Sequence, residues 1–144
     1  METLGSLVDK LTIVQLKAYH TTDVKKQKSL LNQDAQLQEE ITKYMKDALY
    51  GVIPPDKLVC DPNKVHDGTS SVSIPRGDLA GTISTLATVN CDIWHQQEKI
   101  YNFAKLPADE KDESIHQIAV LNLQRNDCIH QIDKLFKEMV VCRQ

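Results

Sequence analysis

Asn90, Trp94 and Glu98 stand at i, i+4 and i+8, one line along a helix, and Tyr101 follows a turn later. Further on, the stretch NLQRND (122–127) puts Asn122, Arg125 and Asn126 on one helical patch. These residue types suit recognition. Trp94 is the only tryptophan and gives a face for stacking a base, a sugar or another ring. Arg125 gives a planar fork matched to carboxylate or phosphate. The asparagines can read donor and acceptor edges. Lys10 and Lys17, seven residues apart, add positive charge from one flank.

Several of these polar residues fall on apolar helical stripes. The stripe Ile115, Ile118, Asn122, Arg125, Ile129, Ile132, Phe136, Met139 keeps strict 4-3 spacing through NLQRND. An amide or charge buried without partners costs a few kcal/mol. A bundle of this size is stable by only about 5–15 kcal/mol. Asp34, Asn90, Asn122 and Arg125 must therefore be partnered, hydrated or arranged around a ligand. A ligand pocket is one solution. The other is a buried network that sets helix register, with Arg125 paired to Glu98, Asp34 or Asp9.

Four helices must position these groups. The spacing predicts a first helix over 4–20, then a break at 21–23 with Asp23 as cap. A second runs from about 24 to 50 and stops at Gly51. A third starts near Asp78 and reaches about Lys105. A turn at 106–111, opened by Pro107, leads into a fourth that ends near Val141. The pattern predicts an all-α fold, one antiparallel helical-bundle domain over 1–144. Residues equally far from the 106–111 turn then face each other. That places Asn90 and Trp94 near Asn122, Arg125 and Asn126.

Residues 52–77 hold four of the five prolines and form one long connection. Within it SVSI (71–74) reads as a short strand. Lys64, His66, Ser70, Ser71 and Arg76 read as a phosphate-gripping flap. A faint repeat aligns 4–20 with 79–95, so that Tyr19–His20 and Trp94–His95 close matching segments.

The net charge of −3 and pI near 5.9 argue against a nucleic acid polymer as partner. They leave room for a local basic pocket. No apolar run approaches the roughly 18 residues of a membrane span. The start carries no basic, apolar, small-residue secretion pattern. Cys60, Cys91, Cys128 and Cys142 form no CxxC pair and read as reduced thiols, so the expected location is the cytoplasm.

Catalytic patterns are weak. Asp127, His130 and Asp133, or His95 with Glu98, stand at metal-binding spacings, but the chain has no Glu-x-x-His. Asp34, Glu39, Glu40 and Glu98 do not make the acidic spacing of a magnesium-dependent pyrophosphohydrolase. No nucleophile elbow, Walker loop or dinucleotide glycine motif is present. No catalytic residue, metal or cofactor is expected. Leu31, Val120, Leu123, Leu135 and Val140 lie off the main stripes and suit a homo-oligomeric face.

Three segments resemble small helical families of unknown function. LGSLVDKLTIVQLK (4–17) is similar to their opening GELIDKITILEIK-like stretch. VNCDIWHQQEKIY (89–101) is similar to their N-x-x-L-W-x-x-E segment, with Asn90 and Trp94 on its marked positions and Glu98 one place beyond its glutamate. IAVLNLQRNDCIHQID (118–133) is similar to their Asn-x-x-Arg-Asn-Asp stretch. The resemblance runs along the first, third and fourth helices, about half the chain. Of the pattern's two successive acids only Glu98 is present, and its later Arg is missing. Members occur in phage genomes and in bacterial surface-polysaccharide gene clusters. The resemblance implies a helical fold with an important polar layer. It names no reaction; by analogy with the phage members, one biological form of a binding role is a sponge in the host cytoplasm that sequesters a nucleotide immune signal.

The expectation is thus a non-enzymatic protein that binds a nucleotide-like or sugar-phosphate-like molecule through the nine residues Lys10, Lys17, Asn90, Trp94, Glu98, Tyr101, Asn122, Arg125 and Asn126. An enzyme acting on nucleotides or nucleotide sugars is one alternative. A structural or regulatory helical oligomer is the other.

Overall fold

The computed structural model describes residues 2–60 and 77–143. Helices α1 (Leu4–His20), α2 (Val24–Leu49), α3 (Leu79–Tyr101) and α4 (Ala108–Arg143) form a helical bundle, with no strand among the described residues. Short 3₁₀ turns sit at Pro55–Lys57 and Phe103–Lys105. The 71–74 strand and the 63–77 flap expected from sequence fall largely on 61–76, outside the described residues.

The helix boundaries follow local chemistry. Thr3 Oγ1 accepts from the Ser6 amide at 3.3 Å and caps α1. Asp23 Oδ1 accepts from the Lys25 and Lys26 amides at 2.9 and 3.2 Å and caps α2. Asp78 Oδ1 accepts from the Gly81 amide at 2.8 Å and caps α3. Gly51, at φ 81°, takes the left-handed conformation that ends α2.

The core is concentrated at one end of the bundle. Leu4 and Val8 of α1, Ala48 of α2, Leu86 of α3 and Cys128, Ile132, Phe136 and Val140 of α4 pack there. Leu58 joins them at 1% exposure, so the long connection sends a side chain into the core just after its 3₁₀ turn. A smaller cluster, Val89, Ile93 and Leu121, lies between α3 and α4 further along. Ala48 is the one buried residue that α2 contributes. Its polar first half rests on α1 without entering the core, so that end of the bundle is open.

The 4-3 stripe on α4 does not survive at its ends. Ile115 is 52% exposed, Met139 is 56% exposed and Asn122 faces solvent. The buried positions are Ser114, Leu121, Cys128, Ile132, Asp133, Phe136 and Val140. A straight helix turns 3.6 residues per turn and drifts about 20° per heptad from a 3.5-residue repeat. Over a helix of 36 residues that drift rotates both ends of the heptad stripe outward. Val140 packs in the core cluster with Phe136, Ala48 and Leu58, so it does not belong to an outer apolar face. Val120 and Leu135 are half-buried, and Leu31 and Leu123 are exposed. No helix among the described residues is long and apolar enough to cross a membrane.

Candidate functional site: a polar layer beside an open trough

Asp9 is the hub of the polar layer. It is 5% exposed and sits on the face of α1 turned towards α3 and α4. Arg125 of α4 reaches it with two bonds, Nε to Oδ1 at 2.8 Å and Nη2 to Oδ2 at 2.5 Å. From α3, Asn90 donates Nδ2 to Asp9 Oδ1 at 2.9 Å and to Thr12 Oγ1 at 2.7 Å. The Thr12 hydroxyl in turn donates to the Asp9 carbonyl at 2.8 Å. Three helices are thereby joined through one carboxylate. Bonding to Asp9 holds the Arg125 guanidinium above its ordinary pKa. A buried charge with this many partners is compensated, whereas either partner alone would not be.

A second buried carboxylate lies one turn of α1 away. Asp133 of α4 is 4% exposed and accepts from the Gly5 amide at 2.7 Å. Burial pushes it up to about 6, against the opposing pull of the hydrogen bonds from the Gly5 amide and the Thr3 hydroxyl. Burial together with the Asp133 charge pushes the nearby Tyr44 hydroxyl up to about 12. Asp133 therefore caps α1 from a distance. It is not grouped with Asp127 and His130. Among the described residues no set of three His, Cys, Asp or Glu side chains is arranged to hold a metal ion.

The aromatic residues meet at the other end of α1. His20 stacks on Trp94 with ring centroids 4.7 Å apart and planes 23° apart. His20 Nδ1 lies 2.8 Å from the Leu16 carbonyl, which orients the ring. Trp94 donates Nε1 to Glu98 Oε1 at 2.6 Å, so both faces of the stack are held by their own helices. His95 stands edge-on to His20 at 6.3 Å. The two aromatic–His pairs of the faint repeat thus come together.

Two open cavities run along the same flank of the α1–α2 hairpin. One, of 420 Å³, is bordered by Lys17, His20, Lys26, Leu30 and Trp94. The next, of 550 Å³, is bordered by Asp9, Lys10, Gln36, Glu40 and Arg125. Lys17 and Gln33 border both, which makes them successive lengths of one trough. The trough exists because the first half of α2 carries lysines, amides and acids where a core helix would carry leucine.

The residues expected at a site from sequence are distributed as follows. Asn90 and Arg125 meet, but through Asp9. Trp94, Lys17, Lys10 and Arg125 border the trough. Lys10 is ion-paired with Glu2, whose carboxyl it holds below the usual range together with the Ser6 hydroxyl. Glu98 touches the trough only by holding Trp94. Tyr101 is 87% exposed near the end of α3. Asn122 and Asn126 face solvent, outside the polar layer. Asp34 accepts from Gln15 and Gln38 on the outer part of the hairpin. Thr12, His20, Lys26 and Gln33 were not among the expected residues. The aligned Tyr19–His20 and Trp94–His95 pairs were the signal for His20. Comparison with protein-family models, with curated proteins and with solved structures finds no match, so the resemblance of segments 4–17, 89–101 and 118–133 stands on their motifs alone.

Proposed function

We propose that the protein binds a small nucleotide-like or sugar-phosphate-like anion in the α1–α2 trough and does no chemistry on it. The observation that carries this reading is the convergence of the His20–Trp94 stack with the exposed ammonium of Lys17 on one trough. A ring can extend the stack, and a phosphate can meet Lys17 and Lys26. Arg125 and Asn90 serve this site as positioning residues, because the Arg125 charge is paired with Asp9 and the Asn90 amide is bonded to Asp9 and Thr12. A phage-encoded protein of this kind would act as a sponge for a host nucleotide immune signal, a step that rests on analogy.

The test is to purify the protein, release bound material by heat and identify it by mass spectrometry. Recovery of an intact phosphorylated molecule supports the reading, and Lys17→Ala and Trp94→Ala should each reduce the amount recovered. A chemically altered product would instead support an enzyme acting on nucleotides or nucleotide sugars.

A second reading is a structural or regulatory helical oligomer with a buried polar lock. The bidentate Asp9–Arg125 pair favours it, because that geometry satisfies the arginine without any ligand. Sedimentation or light scattering that shows a stable oligomer, together with no thermal response to any phosphorylated compound, would support it.

A further inference from the structure

We infer that the trough takes a two-ended ligand: a planar ring against the His20–Trp94 stack, an anionic linker at Lys17, and an uncharged hydrogen-bonding group beside Gln36 and Glu40. This rests on the reading that the trough binds a small anion.

The shared borders carry the inference. Lys17 and Gln33 line both cavities, so a molecule seated at one end passes them to reach the other. From Ser6 to His20 the trough follows 14 residues of α1, about 21 Å at 1.5 Å per residue. A single nucleotide leaves much of that length empty.

The two ends differ in chemistry. The first has the aromatic stack, Leu30 and two lysines, Lys17 and Lys26. The second has Asp9 and Glu40 carboxylates, the Ser6 hydroxyl and the Gln36 amide. Apart from Lys17, which the linker takes, its cations are already engaged, Lys10 by Glu2 and Arg125 by Asp9. A second bare phosphate would meet carboxylates there without a spare positive charge. Sugar hydroxyls or the edge of a second base would meet donors and acceptors together. The ligand class is therefore a nucleotide whose phosphate is esterified to a second polar group. A nucleoside diphosphate sugar and a dinucleotide share that chemistry.

Isothermal titration with uridine monophosphate, adenosine monophosphate, uridine diphosphate glucose and the dinucleotide ApA tests it. One two-ended probe should bind at least tenfold tighter than its own mononucleotide, and which one binds identifies the second group. Gln36→Ala, a change on the exposed side of α2, should erase that advantage and leave mononucleotide binding unchanged. Trp94→Ala should weaken both. Equal affinity for mononucleotides and two-ended probes, with Gln36→Ala silent, overturns the two-ended ligand while the anion site stands. No binding of any probe to the wild-type protein overturns both.

Discussion

The Gly5 amide meets Asp133 Oδ1 at 2.7 Å, and a Cβ built on Gly5 would fall 2.3 Å from the Ile129 carbonyl oxygen. The contact brings the backbones of α1 and α4 into direct approach. Here glycine is required by space, since Gly5 lies inside a helix where alanine is otherwise the better helix former by about 1 kcal/mol. Gly5→Ala should therefore destabilise the fold, by roughly 2 kcal/mol or more, because the obstacle is backbone and cannot rotate away. Urea denaturation monitored by circular dichroism measures this. A variant as stable as wild type would mean that α1 can sit further from α4.

Asp133 makes stability depend on pH in an unusual direction. Its folded-state value of about 6 lies above the ordinary 3.8, so the folded protein binds this proton more tightly than the unfolded chain. Stability from this group is full below about pH 4 and is lost as pH rises to about 6. The loss is about 3 kcal/mol for a shift of about two units. Asp133→Asn keeps an acceptor for Gly5 and removes the titration. The difference in unfolding free energy between variant and wild type should grow in the variant's favour from pH 4 to 6.5, then level off. A difference that stays constant across this range would show that Asp133 finds a compensating cation.

Leu58 ties the long connection to the bundle. At 1% exposure it packs with Ala48, Phe136 and Val140 at the dense end. Leu58→Ala should cost roughly 2–5 kcal/mol, as for other large-to-small core changes. Val52→Ala, at a position 70% exposed in the same connection, should change stability by less than about 0.5 kcal/mol. Parallel thermal melts would separate the two, and a small effect at Leu58 would mean that the segment after α2 detaches readily.

Much of the fold is legible in the sequence because its signals are local. Asp23, Gly51 and Asp78 mark helix ends through hydrogen bonds and dihedral angles that depend on a few neighbours. Helix α4 is less legible. Its apolar residues fit a 3.5-residue repeat, but which of them are buried changes with the neighbour that each length of the helix packs against, so Val140 is buried and Met139 exposed. The polar layer is half legible. Antiparallel geometry brings Asn90 and Arg125 to one level, but their meeting point, Asp9, is contributed by a third helix whose rotation the spacing leaves open. Asn122 and Asn126 share the patch with Arg125 in sequence, yet the inward face of α4 runs through Leu121, Arg125 and Cys128 and leaves both asparagines in solvent. The Asp133–Gly5 contact depends on how closely two backbones approach, which no side-chain periodicity records.

The Asp9–Arg125 pair separates what the polar layer contributes to stability from what it contributes to the trough. Asp9→Leu alone leaves the Arg125 guanidinium, half-buried, without its carboxylate and should destabilise by roughly 3–5 kcal/mol. Arg125→Met alone leaves a buried carboxylate with Asn90 as its remaining side-chain donor, at a similar cost. The double variant removes both charges together. It should recover most of that loss and reach or pass wild-type stability, because the desolvation of two ions disappears with them. Asn90 keeps its bond to Thr12 in all three proteins. If the layer only positions α1 against α3 and α4, the stable double variant should still show the thermal response of the wild type to a phosphorylated ligand. If Arg125 itself meets the ligand, the double variant should be stable and unresponsive. Denaturation and ligand-dependent melting of the four proteins side by side distinguish these outcomes.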